Sequence, residues 1–326
     1  MMMDKPASIF RPSPFKIGCL VVLASCLIFY SFGKDKPALL VSIDNQLTSA
    51  MFRWRGADPI TGQVIIIDID EKSLREVGQW PWPRDIVARL VTSINAARPK
   101  SIGFDIVFAE KDRTSPSEYV EGLSELISRE DIKKELGGIR DMEELNHDLV
   151  LGKAIAVAPT VLGFVFQMAD DGLKSEDEKP FPSATITISP SGISPRDLFL
   201  PSGYRATLNI TDIAQAPTEG FMNVFPDSSG MVRKVPLFMS LDGIPYPSLA
   251  LEMVRTASGS REITIHASSQ KTAGRNSVLG VSVGSLYIPT DDKGHVMVNF
   301  RGPFKTFEYI SAVDILKGSR ADRIRG

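Results

Sequence analysis

Asp68 and Asp70 stand two residues apart behind a β-branched run, in Val64-Ile65-Ile66-Ile67-Asp68-Ile69-Asp70. Two carboxylates leaving the carboxyl end of a buried strand can divide nucleophilic and acid–base work beside a bound Mg²⁺. That chemistry needs companions: a small-residue turn after the second acid, and paired acids ending a later strand to complete the metal site. Here Glu71-Lys72-Ser73 follows Asp70, and Asp170-Asp171 and Asp291-Asp292 fall in segments that read as loops. Asp105 closes a second apolar run, Ser101-Ile102-Gly103-Phe104-Asp105. Asp68, Asp70 and Asp105 could gather at the ends of adjacent parallel strands, where open α/β sheets bind ligands. The plainer reading, that these acids cap helices and satisfy loop amides, is preferred.

The string Trp80-Pro81-Trp82-Pro83-Arg84 sets two tryptophans between prolines at a helix entrance. Such a rigid aromatic loop can serve as a recognition face. The preferred reading is that it packs over the sheet and orients Arg84 toward a carboxylate. The three histidines, His147, His266 and His295, show no ligand spacing. No phosphate-cradling glycine loop, zinc-spaced Cys/His set or Gly-x-Ser-x-Gly elbow occurs. Ligand-binding candidates are therefore Asp68, Asp70, Trp80, Trp82, Arg84 and Asp105. No catalytic or metal-binding residue is assigned, and no cofactor is expected in this segment.

These residues need a frame. The 326 residues suffice for one large or two medium domains, and 43% apolar with 23% charged residues is ordinary for a globular chain. A net charge of −2 supplies no field to gather nucleic acid, so no such partner is expected. From Ile17 to Phe32 there is neither charge nor proline. That run spans about 24 Å as a helix, and Phe15, a snorkelling Lys16 and Gly33 extend it toward a ~30 Å hydrocarbon core. Lys5, Arg11 and Lys16 precede it against Asp4, which places the N-terminus in the cytoplasm. Tyr30-Ser31-Phe32-Gly33-Lys34 offers no small-x-small cleavage site, so an uncleaved anchor is expected rather than a signal peptide. The expected layout is a cytoplasmic N-terminus over 1–16, a transmembrane helix over 17–33 and an extracytoplasmic domain over 34–326. Both cysteines, Cys19 and Cys26, lie within the apolar run, so no disulfide can staple the exported part. They read as small apolar fillers on one helix face rather than as a crosslink.

Leu40, Ile43, Leu47, Ala50 and Met51 form one stripe of a helix over 39–55, which Gly56-Ala57-Asp58-Pro59 ends. The run 64–70 reads as a strand buried on both faces. A short helix over 71–77 follows, capped by Asp70 and stopped by Gly78. Ile86, Val87, Leu90, Val91 and Ile94 make the stripe of the next helix, with Pro83 in its first turn. The strand over 101–108 completes a strand–helix–strand unit and predicts parallel neighbours. Residues 109–140 read as a charged, partly helical excursion, followed by a helix over 141–153 and a strand over 161–167. Residues 169–203 hold Pro180, Pro182, Pro190, Pro195 and Pro201 and read as a long surface loop. A hairpin is expected from 221–225 and 231–239, turned by Pro226-Asp227-Ser228-Ser229-Gly230. A helix over 247–255, strands over 278–283, 286–288 and 296–300, and a helix over 310–316 stopped by Gly318 complete the chain. The fold class is α/β: a mostly parallel buried sheet flanked by helices, with an antiparallel hairpin excursion, preceded by one transmembrane helix.

Most of the exported part resembles the second class of CHASE domains, extracellular sensors associated with cyclases and histidine kinases. The strings that carry this begin with Phe52-Arg53-Trp54-Arg55-Gly56 and Val64 to Leu74. Gly78 to Arg84 and Ile102 to Phe108 continue it. Asn223, Pro226 to Arg233, Tyr246 to Ala250 and Ser311 to Gly318 complete it, in that order. Ser229 stands where the family often has an acid. The family pattern runs on past Arg323-Ile324-Arg325-Gly326 with an apolar strand, membrane helices and a cytoplasmic output domain. The resemblance thus implies a fragment or truncated product whose sensor domain lacks its C-terminal end. It implies a sensory input module in the bacterial cytoplasmic membrane, controlling an adenylate or guanylate cyclase, with kinases as alternative outputs. It carries over no ligand-binding residue. Expected partners are the membrane, a second copy of the chain and an unidentified extracytoplasmic signal. Two other readings are an exported haloacid dehalogenase-like phosphatase using Asp68 and Asp70, and a structural envelope domain that dimerises the protein.

Overall fold

The computed structural model describes residues 13–32, 38–118, 145–173, 179–180, 184–216, 218–272, 274–319 and 323. Two compact units result, Met1–Pro59 with Phe300–Pro303, and Ile60–Asn299 with Phe304–Gly326.

In the first unit, helix α1 covers Pro14–Phe32 and α2 covers Ala38–Arg55. Among the described residues no helix is long and apolar enough to cross a membrane. The described uncharged side chains of α1 run unbroken from Ile17 to Ile28, about 18 Å of helix rise against a hydrocarbon core of ~30 Å. Helix α2 ends at Gly56, whose positive φ of 76° suits glycine, and Arg53 and Arg55 in its last turn face the negative end of the helix dipole. Residues 300–303 dock on this end. The Phe300 ring meets Phe52 edge-on at 6.0 Å, and Asp58 pairs with Arg301.

The second unit begins with β1 (Ile65–Asp68), α3 (Glu71–Val77), α4 (Arg84–Asn95) and β2 (Ile102–Phe104). Helix α5 (His147–Ala156), β3 (Thr160–Gln167), β4 (Thr185–Ser189), a 3₁₀ turn at Pro195–Asp197, β5 (Arg205–Thr207) and β6 (Thr218–Phe221) follow. Next come β7 (Lys234–Pro236), β8 (Phe238–Leu241), β9 (Ile244–Pro247) and α6 (Leu249–Ser258). The unit closes with β10 (Glu262–Thr272), β11 (Arg275–Val283), β12 (Leu286–Pro289), β13 (His295–Met297), β14 (Glu308–Ser311) and α7 (Ala312–Leu316). The architecture is mixed α/β with several sheets. β3 lies between β2 and β6, parallel to both, and its far end takes β5 antiparallel. A second sheet runs β12-β11-β10-β4, while β1·β14, β7·β13 and β8·β9 form separate pairs.

Helix α4 shows why the unit holds together. Val87, Leu90 and Val91 are buried against Phe108, Leu151 and Ile155 in one core, each contributing about 1.5–3 kcal/mol. Gly220 lets β6 approach α6 closely, since a Cβ there would lie 2.6 Å from the Leu249 backbone.

The structure departs from the sequence expectations most in strand pairing. β1 pairs in parallel with β14, not with β2, and β2 pairs with β3. Both strands contribute to one core without sharing a ladder, and Ser311 at the end of β14 is fixed to Asp70 beyond β1. The hairpin expected over 221–239 does not form, since β6 joins β3 and β7 joins β13. Its turn is present but closed on itself: Asp227 Oδ1 accepts from the Ser229 N–H at 2.8 Å, and its other oxygen pairs with Arg233. The antiparallel hairpins lie elsewhere, at β8–β9 and through β10–β11–β12. Within the supposed loop, Thr185-Ile186-Thr187-Ile188-Ser189 is strand β4, with Ile186 and Ile188 against the core of β10 and β11. Pro180 and Pro190 flank this strand without interrupting its ladder. Strand β10 was hidden by its polar second half, where register shifts accommodate Ser268 to Gln270. The helix expected over 141–153 starts at His147 among the described residues, and most of the excursion over 109–140 lies outside them.

Candidate functional site

Strand β1 delivers Asp68 and Asp70 to a corner shared with α3 and α7. Asp68 ends the strand opposite Ser311, half-buried, and no hydrogen bond or ion pair engages its carboxylate among the described residues. Asp70 is the N-cap of α3, with extended φ and ψ of −80° and 175°. Its Oδ1 accepts from the Ser73 N–H at 2.9 Å and from the Ser73 and Ser311 hydroxyls, each at 2.8 Å. Ser73 is fully buried, and its Oγ also accepts the Val313 N–H at 3.2 Å. Lys72 pairs with Asp314 beside them. Residues 70–73 and 311–314 thus form a clasp between the β1–α3 and β14–α7 connections. Burial pushes the Asp70 carboxyl up, but the bonds from Ser73 and Ser311 outweigh it and hold the group below its ordinary value.

The Trp–Pro string enters the core at the start of α4. Trp82 is 2% exposed, and its indole N–H donates to the Gly78 carbonyl at 2.8 Å. Trp80 is half-buried and meets Trp82 edge-on at 5.9 Å. The tryptophans therefore read as packing that fixes the next residue, Arg84.

Arg84 is buried with two acids, Asp112 and Asp148. Its backbone N–H donates to Asp112 Oδ2 at 2.7 Å, and its guanidinium lies 4.5 Å over the Phe108 ring. Nε stands 3.7 Å from Asp148 Oδ1, and neither atom has a hydrogen bond, so this contact is ionic only. The other oxygen of Asp148 accepts the Asp112 N–H at 2.9 Å. Asp112 Oδ1 takes the N–H and hydroxyl of Thr114, and His147 Nδ1 lies 3.3 Å from Asp112 Oδ2 and 3.7 Å from Asp85. Burial pushes Asp148 up, only partly offset by the Asp112 N–H and Arg84. Asp112 is also raised by burial, but bonds from Arg84, Thr114 and His147 bring it below its ordinary value. Burial lowers Arg84 despite both carboxylates.

Residues 20–326 match the family model of the CHASE2 domain. The chain belongs to the CHASE2 family. It is a family of extracellular sensor domains. No curated protein and no solved structure matches the chain.

In this CHASE2 domain the six candidates part into three places. Asp68 and Asp70 share the clasp, and Trp80, Trp82 and Arg84 share the entrance of α4. Asp105 is exposed after β2 and makes no side-chain bond among the described residues. With Oδ1 of Asp70 held by three donors, that carboxylate is committed to structure rather than poised to move a proton. Among the described residues no group of three or more His, Cys, Asp or Glu is placed to hold a metal ion. Asp112 and Asp148, central to the charged cluster, were not singled out in the sequence because they join Arg84 only in the fold. Ser73 and Ser311 lay within the family strings, and the capping geometry at Asp70 could have identified the first. Between α3, α4 and α7 lies an open groove of 540 Å³ lined by Val77, Ile86, Val313 and Leu316 together with the polar Thr92 and Ser93, Arg89 and the ion pair of Lys317 with Glu76.

Proposed function

We propose that this chain is the extracytoplasmic signal-input part of a bacterial membrane-bound signalling protein whose output is an adenylate or guanylate cyclase. The observation that carries it is the CHASE2 match over residues 20–326. In this reading α1 anchors the chain in the cytoplasmic membrane with residues 1–16 inside, because Lys5, Arg11 and Lys16 precede the apolar run. A signal would meet Asp68, Trp80 and Asp105 before Asp70, Trp82 and Arg84, which are engaged within the domain.

A reporter that is active only outside the cytoplasm, fused after Gly326, is expected to be active. Activity from a cytoplasmic reporter alone would overturn the topology. The output is tested by the coding sequence that follows Gly326, where a nucleotide cyclase domain is expected. A kinase domain there would redirect the proposal.

A further inference from the structure

Three segments meet at one imidazole beside Arg84. His147 opens α5, where its backbone N–H donates to the Ser115 hydroxyl at 2.7 Å and Asn146 caps the helix. Its Nδ1 lies 3.3 Å from Asp112 Oδ2, in the loop after β2, and 3.7 Å from Asp85 Oδ1, in the first turn of α4. Carboxylates only accept, so Nδ1 must carry the proton of the neutral ring to bond there. A second proton then enters at Nε2 and breaks none of these contacts. We propose that His147 is a proton-operated latch: acidification charges the imidazole between Asp85 and Asp112 and tightens the junction of α4, the Asp112 loop and α5.

The charges around the ring favour this. Asp112 and Asp148 are buried with one guanidinium, that of Arg84, so the set is short of one positive charge. Asp112 is held below its ordinary value and stays an anion where imidazoles take up a proton, between about pH 5 and 8. The other ionic groups on these elements have contacts of their own. Arg89 reaches Asp85 at 3.8 Å from an exposed position, Lys111 pairs with Glu118, and Asp212 accepts from the Asn146 amide at 3.2 Å. The positive end of α5 opposes a cation at its first residue, but it acts as about half a charge against two carboxylates. The His147 side chain is 18% exposed, so water can deliver the proton. The inference deepens the signal-input reading, since it names acidity outside the membrane as a stimulus, and rests on it for that alone.

The test uses the detergent-solubilised full chain and compares its denaturant unfolding with that of His147→Gln and Asp85→Asn at about pH 5.5 and about pH 8, either side of the imidazole range. A cation that gains partners on folding stabilises the native state at low pH, and this is lost as pH rises through the native value. The folded-to-unfolded ratio of the wild type over His147→Gln is therefore expected to be at least several-fold larger at the lower pH. His266 and His295 are common to all three chains and cancel in the comparison. Asp85→Asn takes away one of the two carboxylates at a half-exposed position, so it should fold and should shrink the pH dependence of the wild type. It reads the latch by itself if His147→Gln does not fold. A ratio independent of pH would make His147 a packing residue and overturn the proposal, as would a ratio that grows toward the higher pH. So would a pH dependence that Asp85→Asn leaves at full size. None of these results depends on topology or output, which the reporter and the coding sequence test separately.

Discussion

At the corner of β1, α3 and α7 one carboxylate, Asp70, is met by three donors, two of them neutral hydroxyls. At the start of α4 one guanidinium, Arg84, is buried with two carboxylates, and its contact to Asp148 lacks a hydrogen bond. In the first cluster the Asp70 charge is met by dipoles aimed at it. The second places opposite charges in a site whose desolvation they offset only in part, as the raised carboxyl of Asp148 records. Satisfied dipoles hold a corner with little at stake in any one group. A buried charge set makes each member hostage to the others.

The largest effect expected from this contrast is at Arg84. Arg84→Ala strands Asp112 and Asp148 without their cation and should cost about 3–5 kcal/mol in denaturant unfolding of the detergent-solubilised chain. Arg84→Met combined with Asp148→Leu should recover part of that loss, because an apolar pair of similar volume removes the desolvation costs of Arg84 and Asp148 while Asp112 stays buried without its cation. A double variant as unstable as the single would show that the ionic contact is worth more than its geometry suggests. Ser73→Ala should cost less, about 1–3 kcal/mol, by leaving Asp70 and the Val313 N–H short of a partner.

A pH titration separates Asp148 from Asp70 and Asp112 by sign. Asp70 and Asp112 titrate below the ordinary 3.8, so their stabilisation is present above that value and lost as pH falls through their native values. Asp148 titrates above 3.8 in the fold, so it favours the native state at low pH and loses this as pH rises through its native value. Asp148→Asn should therefore steepen the loss of stability on acidification, and Asp70→Asn should flatten it. Equal slopes in both variants would remove the distinction. The smallest effect belongs to exposed Asp105, where Asp105→Asn should change stability by no more than about 0.5 kcal/mol.

The same contrast explains what could be read in advance. Asp70 capping α3, Gly78 ending it and the Val87–Val91 stripe of α4 all depend on residues within one or two turns, and all stand where spacing put them. Arg84 was expected to face a carboxylate, but which one depended on a loop at Asp112 and a helix start at Asp148. Strand partners were the least legible. A run such as Ile65-Ile66-Ile67 states that it wants two covered faces and says nothing of who supplies them. β14 failed to register because Glu308-Tyr309-Ile310-Ser311 is short and leads directly into α7. The candidate site was half legible for the same reason: its caps and aromatics are local, and its acids and hydroxyls arrive from elsewhere in the chain.

The hydroxyl of Ser311 reaches Asp70 across 241 positions of sequence. At about 5–20 residues per second, a ribosome that has finished β1 works for roughly 12–50 s before it has made β14. Throughout that interval Ile65 to Ile67 have a free strand edge and no α7 beside them, a ready template for a strand of another chain. The hazard is one of timing. Slower elongation lengthens the exposure, and a chaperone that shields the first strand shortens it in effect. A domain fastened this late is vulnerable for nearly the whole of its own synthesis.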